Sequence, residues 1–244
     1  MAMVRLNADV DDNLVKRLRH VLVDEGLTFS EWLRRQIDAY LFEKLDLFRW
    51  WDPAELAQAV GPTSRPDDGR IIAEYRYQKH LEAWIASHFA VGYSLIHGVK
   101  TMVRMVPDKE RTPDAVIRVI RGKSALDVGL EITTVQTPGR RLREEYKHKL
   151  EGDETGVRHV SIPEPEEVAE WVDIVLRGKV RSADRKMWLV VYLNPDWLDG
   201  SDFSGHVSRR YIDPWGEVHV LGPSGHRLLT LKGRGAKEWV AFKM

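Results

Sequence analysis

The sequence predicts an α/β protein in two parts, a small β-α-α module and a larger α/β domain with a central mixed sheet and C-terminal β additions. Three observations predict it. Residues 3–10 alternate apolar and polar at period two and run into two amphipathic stretches. Pro, Gly and Asp then crowd the segment from Asp52 to Arg70. Beyond it the apolar periodicities run helix, three strands, helix, strand. The boundaries read as a module over 1–51, a linker over 52–70 and a domain over 71–244.

Composition narrows the function classes. The 244 residues carry 37 Lys+Arg against 37 Asp+Glu, with 43% apolar and 30% charged residues, the balance of an ordinary globular protein. No apolar run approaches the roughly 18 residues of a membrane span. Met1 to Asp12 lacks the apolar stretch of a signal peptide, so a cytoplasmic location is expected. Absence of cysteine excludes disulfides, thiolate zinc sites and cysteine nucleophiles. A net charge of zero argues against a histone-like DNA coat, while local DNA binding depends on where the basic groups sit.

Element by element, Val4, Leu6, Ala8 and Val10 share one side of the first strand, with Arg5, Asn7 and Asp9 on the other. Asp11-Asp12 suit a helix start, Leu14, Leu18, Val21 and Leu22 form its apolar face, and Gly26 closes it. Thr28 with Glu31 forms a capping box for a second helix bearing Trp32, Leu33, Ile37, Tyr40 and Leu41. About 45 residues bury too little surface to stand alone. A second copy is the expected stabiliser.

In the larger domain, residues 71–89 predict a helix and 99–106 a strand. Two further strands, 115–120 and 126–135, join through Arg121-Gly122-Lys123-Ser124. Basic residues 139–150 and then 166–180 read as helices, and MWLVVYL at 187–193 as a buried central strand. Short strands are expected at Glu217 and Arg227.

The run VRLNADVDDNLVKRLRHVLVDEGLTFSEWLRRQIDAYL resembles the ribbon-helix-helix family, which includes the Arc and MetJ repressors, over about the first 45 residues. The resemblance implies a homodimer whose paired strands enter the DNA major groove. Arg5, Asn7 and Asp9 would then face base edges. Arg suits guanine, Asn suits adenine, and Asp can accept from cytosine. It also implies a phosphate at the start of the second helix, at Thr28, Phe29 and Ser30. The competing reading is a dimerisation device with a solvated charged face, favoured by eight Lys/Arg against nine Asp/Glu in residues 1–50.

Pro113-Asp114 opens one strand and Glu131 lies on the next, sharing a side with Asp127, Gly129 and Thr133. Two carboxylates on adjacent strands can hold a hard cation such as Mg²⁺ with waters left on it, and such an ion activates water against a phosphodiester. With Pro113-Asp114, Glu131-Ile132-Thr133 and the element order, residues 71–195 resemble the PD-(D/E)XK, or restriction-endonuclease-like, superfamily. The resemblance implies a Mg²⁺-dependent nuclease. It adds an acidic residue on the first helix to the metal site, Glu82 by preference and Glu74 in reserve. The departure is Thr133, which stands where the pattern has lysine. Lys147, on the following helix, is the candidate substitute, with Lys149 pointing elsewhere.

The nine His show no metal-ligand spacing, so His88, His97 and His148 read as packing or surface residues, and Trp84, Trp171 and Trp188 as core. Trp50-Trp51 could help dock the two parts. No glycine pattern matches a P-loop or dinucleotide fingerprint. The expectation is a DNA-binding homodimer with a nuclease-like domain. The rival is a transcriptional regulator whose larger domain has lost catalysis, which Thr133 favours.

Overall fold

A computed structural model describes residues 11, 15–16, 18, 22–23, 28–30, 32–33, 44–64, 78–107, 113–136, 163–194, 202–233 and 237–243. The chain divides into two compact units, Met1–Leu45 and Asp46–Met244. The first boundary therefore falls a few residues before the expected one.

In the first unit Val15, Lys16, Leu18, Leu22 and Val23 are helical, as are Phe29, Ser30, Trp32 and Leu33. The Val15 N–H donates to the Asp11 carbonyl and the Trp32 N–H to the Thr28 carbonyl, each at 3.0 Å. The Asp11 and Thr28 carbonyls thus each accept a helical bond from the residue four on, near the helix starts that the sequence predicts. The expected first strand, with Arg5, Asn7 and Asp9, lies outside the described residues.

The second unit opens with a correction, because the stretch read as linker begins with a helix, α1 (Pro53–Ser64). Asp52 accepts the Ala54 N–H at 2.9 Å, and Pro53 stands where a first-turn N–H needs no partner. Leu56, Ala57 and Val60 are buried. Next come α2 (Gln78–His97), β1 (Lys100–Met105), β2 (Ala115–Arg121), β3 (Ser124–Val135), α3 (Pro165–Lys179) and β4 (Met187–Leu193). A short α4 (Arg209–Ile212), β5 (Glu217–Leu221), β6 (Arg227–Lys232) and β7 (Val240–Ala241) complete the unit. Helix expected at 71–77 and 139–150 falls outside the described residues.

The seven strands among the described residues form one mixed sheet in chain order. β1, β2 and β3 are an antiparallel meander, turned at Gly122, whose φ of 58° suits a residue without Cβ. β4 lies parallel to β3, and α3 is carried in the connection between them. β5 is parallel to β4, then β6 and β7 run antiparallel. The meander, the buried central strand of a mixed sheet and the C-terminal β additions agree with the sequence reading.

Period-two burial explains the two-sided core. Val172, Leu176, Leu189, Val191, Leu193, Val218 and Val220 form one cluster between α3 and the sheet. Against the opposite face, the Phe89 and Tyr93 rings of α2 meet Trp188 and His219. At 0–6% exposure, β4 is buried along Leu189–Leu193, which is why its sequence shows no polar alternation.

Candidate active site

β2 starts at Ala115, which pairs with Leu130, and Asp114 is the residue just before it. Its N–H still donates to the Leu130 carbonyl at 2.9 Å, so the backbone keeps the strand's direction. Asp114 Oδ2 accepts the Ile132 N–H at 2.8 Å. The carboxylate thereby satisfies a β3 donor past the end of the ladder and rests beside Glu131. Gly129 makes room for this approach, because a Cβ there would lie 3.0 Å from Pro113 Cγ. The Pro-Asp pair and the glycine on the facing strand act together to place the carboxylate.

Glu131 is buried, with a side chain only 6% exposed. Its Oε1 accepts a charge-assisted bond from Lys179 Nζ at 2.5 Å, while Oε2 is buried without a partner. Glu82, on the first turns of α2, accepts from Lys79 Nζ at 2.8 Å and from Gln78 Nε2 at 3.0 Å. Burial pushes both glutamates above the ordinary carboxylate range, and the Asp114 charge adds to the effect in each. The Lys179 and Lys79 bonds oppose that rise. Glu82, Asp114 and Glu131 are therefore one electrostatic group, with two lysines set among them.

Of the residues singled out in the sequence, the fold brings Asp114 and Glu131 together and puts Glu82 in electrostatic contact with Asp114. Thr133 shares the Glu131 side of β3, half-buried, and carries no charge. Among the described residues, the cation bonded to Glu131 is Lys179, at the end of α3. Lys147, Lys149 and Glu74 lie outside the described residues. Sequence reasoning missed Lys179 although a signal exists: it follows Leu176 by three and Val172 by seven, so it extends the apolar stripe that faces the sheet. Lys79, three before Glu82 on one helical face, was equally legible.

Among the described residues, no three His, Asp or Glu side chains form a group that could hold a metal ion. Two carboxylates nevertheless suit a hard cation that retains several waters, and the buried, unpartnered Glu131 Oε2 is an oxygen such an ion would satisfy. Asp114 and Glu131 fit Mg²⁺ on that ground.

His88, His97 and His219 are packing residues, and His148 lies outside the described residues. His88 is buried against Trp84, His97 stacks on Tyr93, and His219 has partners at both ring nitrogens, Thr230 Oγ1 and Glu217 Oε2, each at 3.1 Å. Trp188 is core, whereas Trp84 and Trp171 are half-buried. Trp51 bridges to Val103, which ties it to the second unit. Of the nucleic-acid candidates, Thr28 and Ser30 sit exposed at the start of the second helix of the first unit. Comparison with known proteins finds no family model, no curated protein and no solved structure that matches the chain.

Proposed function

We propose that the chain is a DNA-binding protein whose larger domain hydrolyses phosphodiester bonds in nucleic acid with Mg²⁺. One observation carries this reading. Asp114 and Glu131 come together on a β-meander that follows a helix and precedes a helix and a parallel strand, with a lysine held at the second carboxylate. That arrangement supports the restriction-endonuclease-like resemblance even though Thr133 replaces its lysine.

Asp114 and Glu131 would hold Mg²⁺, which supplies Lewis-acid polarisation and a more acidic bound water. Asp114 is oriented for this by the Ile132 N–H. Glu82 sits at the edge of the group, where it can accept a proton or hold a metal-bound water through hydrogen bonding. Lys179 takes the part the resemblance gives to lysine: its ammonium lies beside Glu131, where it can orient the attacking water and stabilise charge building on the phosphoryl oxygens. Delivery to DNA would fall to the amino-terminal module as a ribbon-helix-helix homodimer, through Arg5, Asn7 and Asp9 and a phosphate at Thr28 and Ser30.

One observation favours the non-catalytic regulator instead. Both glutamates already have lysine partners, as they would in a site that has replaced its cation with fixed charges. Cleavage assays across Mg²⁺ and Mn²⁺ on duplex, single-stranded and branched substrates separate the two. Asp114→Asn and Glu131→Gln should each abolish metal-dependent cleavage and leave site-specific binding intact. Lys179→Met should slow it by ~10²-fold or more, the usual order for one preorganised contact, with Lys179→Arg recovering part of the loss. No cleavage by the unmodified protein at high concentration would make the regulator the better reading.

A further inference from the structure

One face of the meander stays partly open. On the other face Val103, Met105, Ala115, Ile117 and Val119 are buried, whereas Arg104, Val116 and Arg118 are only half-buried. Register puts Arg104 opposite Val116 and Val116 opposite Gly129 in one row, and Arg118 opposite Asp127 in the next. The row on the other side of Val116 and Gly129 is that of Asp114 and Glu131, two residues or roughly 7 Å along the strands.

The two arginines are held as cations. The Arg118 guanidinium carbon lies 4.1 Å from the Trp50 ring centroid and that of Arg104 lies 5.2 Å away. Asp127 takes Nε and Nη2 of Arg118 at 2.6 and 2.7 Å, leaving Nη1 outside the pair. An indole holds a guanidinium without neutralising it. Lys100, exposed at the start of β1 and opposite Ile120, has the parity of Arg104, so among the described residues the face carries three cations beside Asp127.

We propose that this face is a track for the phosphodiester backbone of nucleic acid, with Arg104 and Arg118 contacting phosphates of the strand that reaches the Asp114–Glu131 cluster. It rests on the reading of that cluster as a phosphodiester site. Carboxylates repel a polyanion, so a strand can approach them only if neighbouring cations hold it. Arg104, one row away, and Arg118, a further row on, are placed to do so. Phosphates recur along a strand as these cations recur along the sheet, which fits a nucleic acid better than an acidic peptide.

The test uses the full chain carrying Asp114→Asn, so that nothing is cut, and fluorescence anisotropy with labelled duplex and single-stranded oligonucleotides over a range of salt. Arg104→Met with Arg118→Met should weaken binding about tenfold or more at low salt and flatten the plot of log affinity against log salt by about two. Arg104→Lys with Arg118→Lys should keep the slope, because the charge persists. An unchanged slope in the Met pair overturns the proposal, as does an equal loss in the Lys pair, which would mean shape rather than charge. Tighter binding of a polyglutamate peptide with the same arginine dependence also overturns it, in favour of a protein partner. Cleavage by the chain without Asp114→Asn is scored separately. Arginine dependence without cleavage keeps the track and removes the catalytic reading; cleavage with an unchanged slope does the reverse.

Discussion

His88 is 4% exposed, with Nδ1 2.8 Å from the Trp84 carbonyl and its ring centroid 4.0 Å from that of Trp84. Burial pushes its pKa down to about 4, helped by the neighbouring His226 and opposed by the backbone hydrogen bond. An unfolded histidine titrates near 6.5. Above that value neither state binds the proton. Between about 6.5 and about 4 the unfolded chain binds it and the folded chain does not, so stability falls as pH drops through this window, by up to about 3 kcal/mol. Thermal melts from neutral pH down to pH 4 should show a steeper loss in the parent than in His88→Phe. Subtracting the two curves cancels Glu82 and Glu131, whose raised values act in the opposite direction, costing stability as pH rises. Parallel curves for parent and variant would mean that His88 is protonated as readily folded as unfolded.

At the scale of elements, α1 shows how turn residues can mislead. Asp52-Pro53 and Gly61-Pro62 carry the composition of a linker. The first pair is instead a helix start, with Asp52 Oδ1 accepting the Ala54 N–H and the Asp52 carbonyl accepting the Leu56 N–H. Leu56 and Val60 then share a face at helical spacing and are fully buried. Leu56→Ala should therefore destabilise the second unit by about 2–5 kcal/mol in urea unfolding, the range for truncating a buried leucine. A change within about 0.5 kcal/mol would return the segment to the status of a linker. The capping box expected for the second helix of the amino-terminal module has a counterpart at α3. There the Glu167 carboxylate accepts the Glu164 N–H at 3.1 Å and Pro165 occupies the first turn. That start sets the phase of the Val168, Val172, Leu176 stripe, and the same phase delivers Lys179 to Glu131.

For the whole molecule, two compact units imply two unfolding events. Met1–Leu45 is too short to bury much apolar surface, and the proposed ribbon-helix-helix pairing would supply the missing contacts from a second chain. Calorimetry at several protein concentrations should then show one transition that moves up with concentration and a second, from Asp46–Met244, that does not. Sedimentation should give a dimer at micromolar concentration. A monomer whose transitions ignore concentration would remove the homodimer and, with it, the paired strand needed to read a groove.

What the sequence determined by itself was local. Apolar runs identified β2, β3 and β4, period-two parity sorted the faces of β3, and 3.6-residue stripes identified α2 and α3, because side-chain direction follows directly from backbone repeat. Asp114 and Glu131 were legible for the same reason: one precedes a strand, the other has a strand parity, and a meander brings neighbouring strands into register. Tertiary structure decided which cation meets them. Lys179 lies 48 residues from Glu131, and their contact depends on where the end of α3 falls over the sheet after a parallel crossover. Trp50 likewise looked like a docking residue, and only the packing of the chain before α1 against the meander set it beside Arg104 and Arg118. Local pattern specifies which face a side chain takes; the packing of distant elements specifies what it finds there.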